Sequence, residues 1–424
     1  MSIMNLETLS YKVQSIKGNK LAKNYILNTT DGAFFALAMG MVPLGTVLQY
    51  FISGFVSQKS LIGLLSFINI LLMFSPQILV SKKLEQLRRF KPFLLLTGIS
   101  VRVLWLLMGL NVLLFADKNP ILFTVLFYVL YSLIGLASSF TNITWLNFIV
   151  KIIPGNYRGR FLGIRSTVAG IFESTGSILM GFIVKSLPYP MNYGILFLAV
   201  FALTLVSLGF VALSEEQESV REERERSGES YIRKMLRTLK TDRNFTYYLI
   251  TVALIGGLGK MAFAFQIIFA KEKLGILEQQ VSYATFILLV SQTIGYLIWG
   301  ILGDRYGFKL TLEISAVIFV PSILLTYLMS SLPVFYAGMA LFGLAQSARN
   351  VNENNLAINL CRSEEKQPLY IGLRNLLMGP VFAFNPLIAG AICDLFGYAV
   401  LFIFSTIFML AGFWMMVKYV KEYR

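Results

Sequence analysis

Runs of roughly twenty apolar residues recur from one end of this chain to the other. A helix rises about 1.5 Å per residue, so such a run crosses the ~30 Å of hydrocarbon in a bilayer. In lipid the backbone must satisfy its own N–H and C=O groups, and segments this long do so as helices. Twelve spans are read, near residues 27–54, 60–80, 92–115, 119–149, 161–186, 191–213, 244–270, 280–303, 308–330, 332–359, 368–392 and 398–419. The expected fold is an all-α membrane protein with twelve transmembrane helices. Composition agrees, since 14% of the residues are charged where a soluble chain carries about 25%.

Residues 1–24 are polar and basic, with Lys12, Lys17, Lys20 and Lys23, and lead directly into span 1. They read as a cytoplasmic segment and not as a cleavable signal. The net charge of +15 would point to nucleic acid in a soluble chain. Among membrane spans it reads as the excess of Lys and Arg in cytoplasmic loops, and a nucleic-acid partner is excluded. Basic connections carry Lys82, Lys83, Arg88, Arg89 and Lys91, then Lys151, Arg158 and Arg160, then Arg305 and Lys309. They alternate with short bland ones such as 330–333. Both termini are therefore expected in the cytoplasm, with the spans in the plasma membrane. Residues 214–243 break the rhythm. Ser214 to Arg226 is dense in Glu and Arg, and Tyr231, Met235 and Leu236 among Arg233, Lys234, Arg237 and Lys240 read as a basic amphipathic helix. This stretch is taken as a cytoplasmic linker between a half at 25–213 and a half at 244–424.

The halves echo each other. Gly135-Leu136-Ala137-Ser138-Ser139 in span 4 reads like Gly343-Leu344-Ala345-Gln346-Ser347 in span 10, and at the same offset Asn142 falls on Asn350 and Asn147 on Asn355. Gly163-Ile164-Arg165 matches Gly372-Leu373-Arg374, and Phe90-Lys91 matches Phe308-Lys309. Two pseudo-symmetric halves of six helices each follow.

Gly303-Asp304-Arg305-Tyr306-Gly307-Phe308-Lys309, between spans 8 and 9, is similar to the signature loop of the major facilitator superfamily. Pro154 with Arg158-Gly159-Arg160, Gly163 and Arg165 resembles that family's loop after helix 4. More narrowly, Pro76-Gln77, Lys91-Pro92, Arg102, Trp145 and Tyr370-Ile371-Gly372 resemble a bacterial branch without an assigned substrate. The resemblance implies parallel six-helix repeats and a transport cycle, and names no cargo. The chain departs from the pattern at Ser81 to Lys91, where Gln86 stands in the place of Asp304, and in span 5, which has no Gly-Pro step.

Ionisable groups in hydrocarbon each need a reason. Glu173 lies near the middle of span 5, which in the resembled family borders the central cavity. It is a candidate proton carrier, or else a carboxylate satisfied by a neighbouring Ser, Thr or Arg. Lys260, among the glycines of span 7, is counter-charge for Glu173, for an anionic cargo or for an unidentified carboxylate. Arg102 in span 3 is a further pathway candidate, with packing against a neighbouring helix as the alternative. Gln346, high in span 10, is a candidate cargo contact. Arg349 and Glu353 stand four apart and can pair. With Asn142, Asn350, Arg165, Arg374, Asp304 and Arg305 they are read as an inner gate, Asp304 being placed near the start of span 11, where a helix dipole favours an anion. The alternative is that these groups satisfy one another near the interface. Asp31 is read in the first turn of a helix capped at Thr30.

The function expected is secondary transport of a small, moderately hydrophobic or singly charged organic solute by alternating access, with protons as a candidate coupling ion. Drug efflux and facilitated diffusion are the alternatives within transport, and a non-transporting receptor or scaffold is the alternative outside it. Enzymatic chemistry is not expected: the chain has no histidine, and its two cysteines, Cys361 and Cys393, make no metal-site spacing. No cofactor is expected, and the protein is taken as a monomer.

Overall fold

The computed structural model describes residues 4–74, 87–216, 237–361 and 366–422. The first span starts as α1a (Met4–Met41) and ends it at Pro43, whose extended backbone (φ −61°, ψ 132°) stops a helix. A π turn, Leu44–Leu48, and α1b (Gln49–Ile52) complete the crossing. The next five helices are regular: α2 (Lys59–Phe74), α3 (Lys91–Phe115), α4 (Pro120–Ile152), α5 (Gly155–Ser186) and α6 (Met191–Leu213). Span 7 is broken like span 1. It runs as α7a (Arg243–Val252), a π turn at Ala253–Gly257, a 3₁₀ segment at Leu258–Ala264 and α7b (Gln266–Leu274). Then follow α8 (Glu278–Tyr306), α9 (Phe308–Leu328) and α10 (Leu332–Asn359). The last helical stretch, Gln367–Tyr419, contains Gly397 at φ 79°, ψ 174°, which divides α11 from α12.

Nine described helices are long and apolar enough to cross a membrane. One of them, Leu369–Tyr419, holds two crossings, one on each side of Gly397. The described part of α2 is shorter, and α10 is less apolar because amides fill one end of it. With these the twelve expected spans are accounted for. Spans 1 and 7 are 67% and 72% buried and the other candidate spans 28–39%, so the two broken helices form the interior and the rest face lipid.

The start of spans 1 and 7 and the exit of spans 6 and 12 meet at one face, here called the terminal face. They meet by the same device twice. Asn24 Nδ2 donates to the Glu215 carbonyl at 2.9 Å, while its Oδ1 accepts from the Glu215 N–H at 2.8 Å. Asn244 does the same with Lys421, at 2.7 and 2.8 Å. The next residue in each half is a glutamate that accepts from two N–H groups where a helix begins. Glu216 takes Phe90 and Lys91 at 2.7 and 2.8 Å, and Glu422 takes Phe308 and Lys309 at 2.9 and 3.0 Å. Four donors orphaned by helix geometry are thereby satisfied, and each carboxylate sits at a positive helix end.

The halves touch where α5 lies against α8 and α2 against α11. The second crossing is close because glycine permits it. A Cβ on Gly63 would strike the Pro386 carbonyl, and one on Gly390 the Lys59 carbonyl. Most of the expected amphipathic helix, up to residue 236, lies outside the described residues, as does the stretch from Ser81 to Gln86. Residues 237–241 are helical.

Candidate functional site

A cavity of about 650 Å³ opens between the broken central helices. Pro43, Gly45, Thr46 and Ile70 supply the wall from the amino-terminal half, and spans 7, 8, 10 and 11 supply the rest. The breaks put side chains there. Where α7 loosens, the Gly257 carbonyl accepts from Asn385 Nδ2 and the Ala262 N–H donates to Ser405 Oγ at 2.8 Å. Backbone groups freed from the helical ladder are thus satisfied by α11 and α12, as irregular backbone at this depth requires. The 3₁₀ segment so held carries Lys260 to the cavity wall.

Lys260 Nζ donates to Gln346 Oε1 at 2.6 Å. Gln346 Nε2 donates to Asn350 Oδ1 at 2.8 Å, and Asn350 Nδ2 donates to the Tyr296 hydroxyl at 3.1 Å. One helical turn further along α10, Glu353 is ion-paired through its two carboxylate oxygens to Arg349 and to Arg374 of α11. All three side chains are at most 10% exposed. The Tyr248 hydroxyl donates to the Glu353 carbonyl at 2.6 Å, fastening α7a to the same cluster. The cavity lining therefore holds three basic groups, Lys260, Arg349 and Arg374, against one carboxylate that two of them already share. Phe263, Phe342 and Phe382 supply apolar wall, the first two with ring centroids 4.0 Å apart.

Of the residues singled out in the sequence, the structure brings Lys260, Gln346, Asn350, Arg349, Glu353 and Arg374 to one wall of this cavity. It does not pair Glu173 with Lys260. Glu173 is half-buried on α5, has no ion-pair or hydrogen-bond partner among the described residues, and lies off the cavity lining. It is within electrostatic reach of the Tyr296 hydroxyl, the last member of the amide chain from Lys260. Asp304, Arg305 and Asn142 are exposed, and Asp304 has no partner among the described residues. The gate layer read from sequence is thus split: Arg349, Glu353 and Arg374 cluster in one half, Arg165 pairs with Asp31 in the other, and Asp304, Arg305 and Asn142 join neither.

The amino-terminal cluster centres on Asp31, and here the sequence reading is corrected. α1a runs unbroken through this position, so Asp31 is in no first turn. Thr29 and Thr30 bond back to the carbonyls of Tyr25 and Ile26, as mid-helix threonines do. Asp31 is 5% exposed and accepts from Ser207 Oγ at 2.6 Å and from Arg165 Nη2 at 3.3 Å. Arg165 also donates to the Asn28 carbonyl at 3.1 Å and lies over the Trp145 ring at 4.2 Å. Arg102, within electrostatic reach of Asp31, donates to the Thr204 and Gly98 carbonyls at 3.0 and 3.1 Å and lies away from the cavity lining. The signal for this cluster was present in the sequence. Arg102, Trp145 and Arg165 all belong to the resembled motifs, and a buried carboxylate was the missing member.

The polar contacts described between the halves lie away from the terminal face. Thr285 Oγ1 donates to Thr46 Oγ1 at 2.9 Å, the Tyr50 hydroxyl to the Ile276 carbonyl at 2.9 Å, and Lys271 Nζ to Ser53 Oγ at 2.9 Å. Asp394, at the end of α11, accepts from the N–H groups of Lys59 and Ser60 at 2.9 and 2.8 Å, and Lys59 pairs with Glu272 at 3.0 Å. At the terminal face no such bond joins the halves among the described residues. The two halves are thus clasped at one face around a central cavity.

The comparisons with known proteins agree. The family model of the Major Facilitator Superfamily matches residues 30–269 and 249–424, and the chain belongs to that family. No curated protein matches it in sequence. Among solved structures, the nucleoside transporter NupG is similar with a TM-score of 0.68 at 13% identity, over 93% of this chain and 99% of that one. The D-xylose-proton symporter is similar with a TM-score of 0.66 at 12% identity, over 95% and 98%. A bacterial homologue of the human lysosomal transporter Spinster, inward-facing and unoccupied, is similar with a TM-score of 0.64 at 12% identity, over 95% of each chain. At these identities the likeness is one of fold.

Proposed function

We propose that this protein is a secondary active transporter that moves a small, moderately hydrophobic or singly charged organic solute across the plasma membrane by alternating access. The observation that carries the reading is one-sided closure. Among the described residues the halves are bonded away from the terminal face and not at it, around a cavity lined by both. The basic connections Arg88 to Lys91, Lys151 to Arg160 and Arg305 to Lys309 lie at the terminal face, which supports a cytoplasmic place for that face and an inward-facing reading of this conformation.

Glu173 is the proposed proton carrier. A half-buried carboxylate without a partner among the described residues, on a helix packed against the other half, supports that role. Glu173→Gln in proteoliposomes should abolish gradient-driven accumulation while sparing exchange; accumulation equal to wild type would remove the role. Its position off the cavity lining favours a second reading, facilitative uniport, in which the same substitution leaves flux in both directions unchanged.

A further inference from the structure

We infer that the cavity is an organic-anion site, and that Lys260 binds the anionic head of a cargo whose flat apolar body lies against Phe263, Phe342 and Phe382. The inference rests on the transporter reading and names the cargo class for it.

The argument is one of charge and of committed partners. Glu353 is the one carboxylate of the described lining, and both of its oxygens are held by arginines. Lys260 is left with a neutral amide, Gln346 Oε1 at 2.6 Å, as its hydrogen-bond partner. A half-buried ammonium that shares its lining with two guanidinium groups and a single carboxylate lacks a counter-charge, and an anion in the cavity supplies one. The loosened α7 adds to this, since α7b begins at Gln266 on the cavity wall and its positive end faces the same space. Gln266 itself is 2% exposed, and its Oε1 has no partner among the described residues.

The same inventory excludes other classes. An amino acid needs an acceptor for its ammonium, and Glu353 is occupied. A sugar needs several free hydrogen-bonding side chains. Here the lining amides Gln346, Asn350 and Asn385 are engaged with Lys260, Tyr296 and the Gly257 carbonyl, which leaves only Asn354 and Gln266 among the described lining amides. An inorganic anion would leave the three phenylalanines facing empty space. A monoanion displaces only Gln346 from Lys260, and the ring wall takes the remainder of the molecule.

The test is equilibrium binding to the purified full chain in detergent. The probes are a panel of aromatic monocarboxylates, each paired with its neutral primary amide of the same shape. At least one acid is expected to bind ten-fold or more tighter than its amide. That preference should vanish in Lys260→Gln and persist in Lys260→Arg, each checked for a wild-type unfolding midpoint. Amides that bind as tightly as acids in the wild type, a preference retained in Lys260→Gln, or a panel without any binder each overturn the anion site. The wild-type comparison stands even where a variant fails to fold. Counterflow of a neutral or cationic solute would overturn the anion site and leave the transporter reading intact. Failure of all counterflow in proteoliposomes would remove that reading itself.

Discussion

At the scale of single residues, the buried charges divide into those that are paired and those that are not. Glu353 is paired with two arginines at once, all three side chains being at most 10% exposed. Removing one member of a buried ion pair leaves an uncompensated charge and costs about 3–5 kcal/mol. Glu353→Gln should therefore lower the unfolding midpoint in detergent sharply, and an unchanged midpoint would show the triad to be energetically idle. Arg349→Gln, which leaves Glu353 paired with Arg374, should cost visibly less. Sequence spacing showed that Arg349 and Glu353 can meet, because residues four apart share a helix face. It was silent on Arg374 as the second partner, since that contact joins α10 to α11. Asp31 was misplaced for a related reason. A polar residue after two threonines reads as a helix start when the chain before it is thought to be a tail, and α1a extends through that tail to Met4.

At the scale of elements, the repeated fastening of helix starts makes two predictions. Loss of a helix cap costs about 0.5–2 kcal/mol. Glu422→Ala should fall in that range by thermal or denaturant unfolding. Glu216→Ala should exceed it, because Lys151, bonded to Glu216 at 2.9 Å and 13% exposed, then loses its carboxylate. Equal effects would mean that the lysine contributes nothing. The neighbouring Glu215 is bound by Lys23 at 2.8 Å and Lys20 at 3.2 Å, and their hydrogen bonds hold its carboxyl below the usual carboxylate range. A group whose folded-state pKa is depressed contributes stability above its unfolded pKa and loses it as pH falls through the folded one. The stability gap between wild type and Glu215→Gln should hold from neutral pH down to the ordinary value of 4.5 and close below it. A gap that stays open at strongly acid pH would place its origin elsewhere. The matching Phe90-Lys91 and Phe308-Lys309 were legible as a repeat, but their partners Glu216 and Glu422 were not, since each lies more than a hundred residues further on.

At the scale of the whole molecule, alternating access requires contacts that hold one state and break in the other. On the proposed function Asp394 is the candidate for such a contact: it is exposed, and it accepts two N–H groups at the start of α2 across the interface between the halves. An exposed anion at a helix N-terminus contributes up to about 1 kcal/mol, roughly a five-fold change in population. Asp394→Asn should shift the ensemble towards closure of the terminal face. Spin labels replacing Leu162 of α5 and Tyr306 of α8, in a chain without Cys361 and Cys393, would report that shift as a growing short-distance population. A distribution identical to the wild type would remove Asp394 from the clasp.

The sequence by itself determined the all-helical membrane fold and the family. Each of these follows from local periodicity, from loop charge or from a motif within a few dozen residues. It also located Lys260, Gln346, Arg349, Glu353 and Arg374, because a polar group inside an apolar span is conspicuous wherever the chain goes next. Only the tertiary structure decided which of them face one another. Glu173 and Lys260, natural partners on charge alone, lie apart, while Lys260 meets an amide on α10. The breaks in spans 1 and 7 were equally out of reach. A run of Gly and Pro permits a helix to open, but whether it does depends on side chains such as Asn385 and Ser405, which come from distant spans to satisfy the freed backbone.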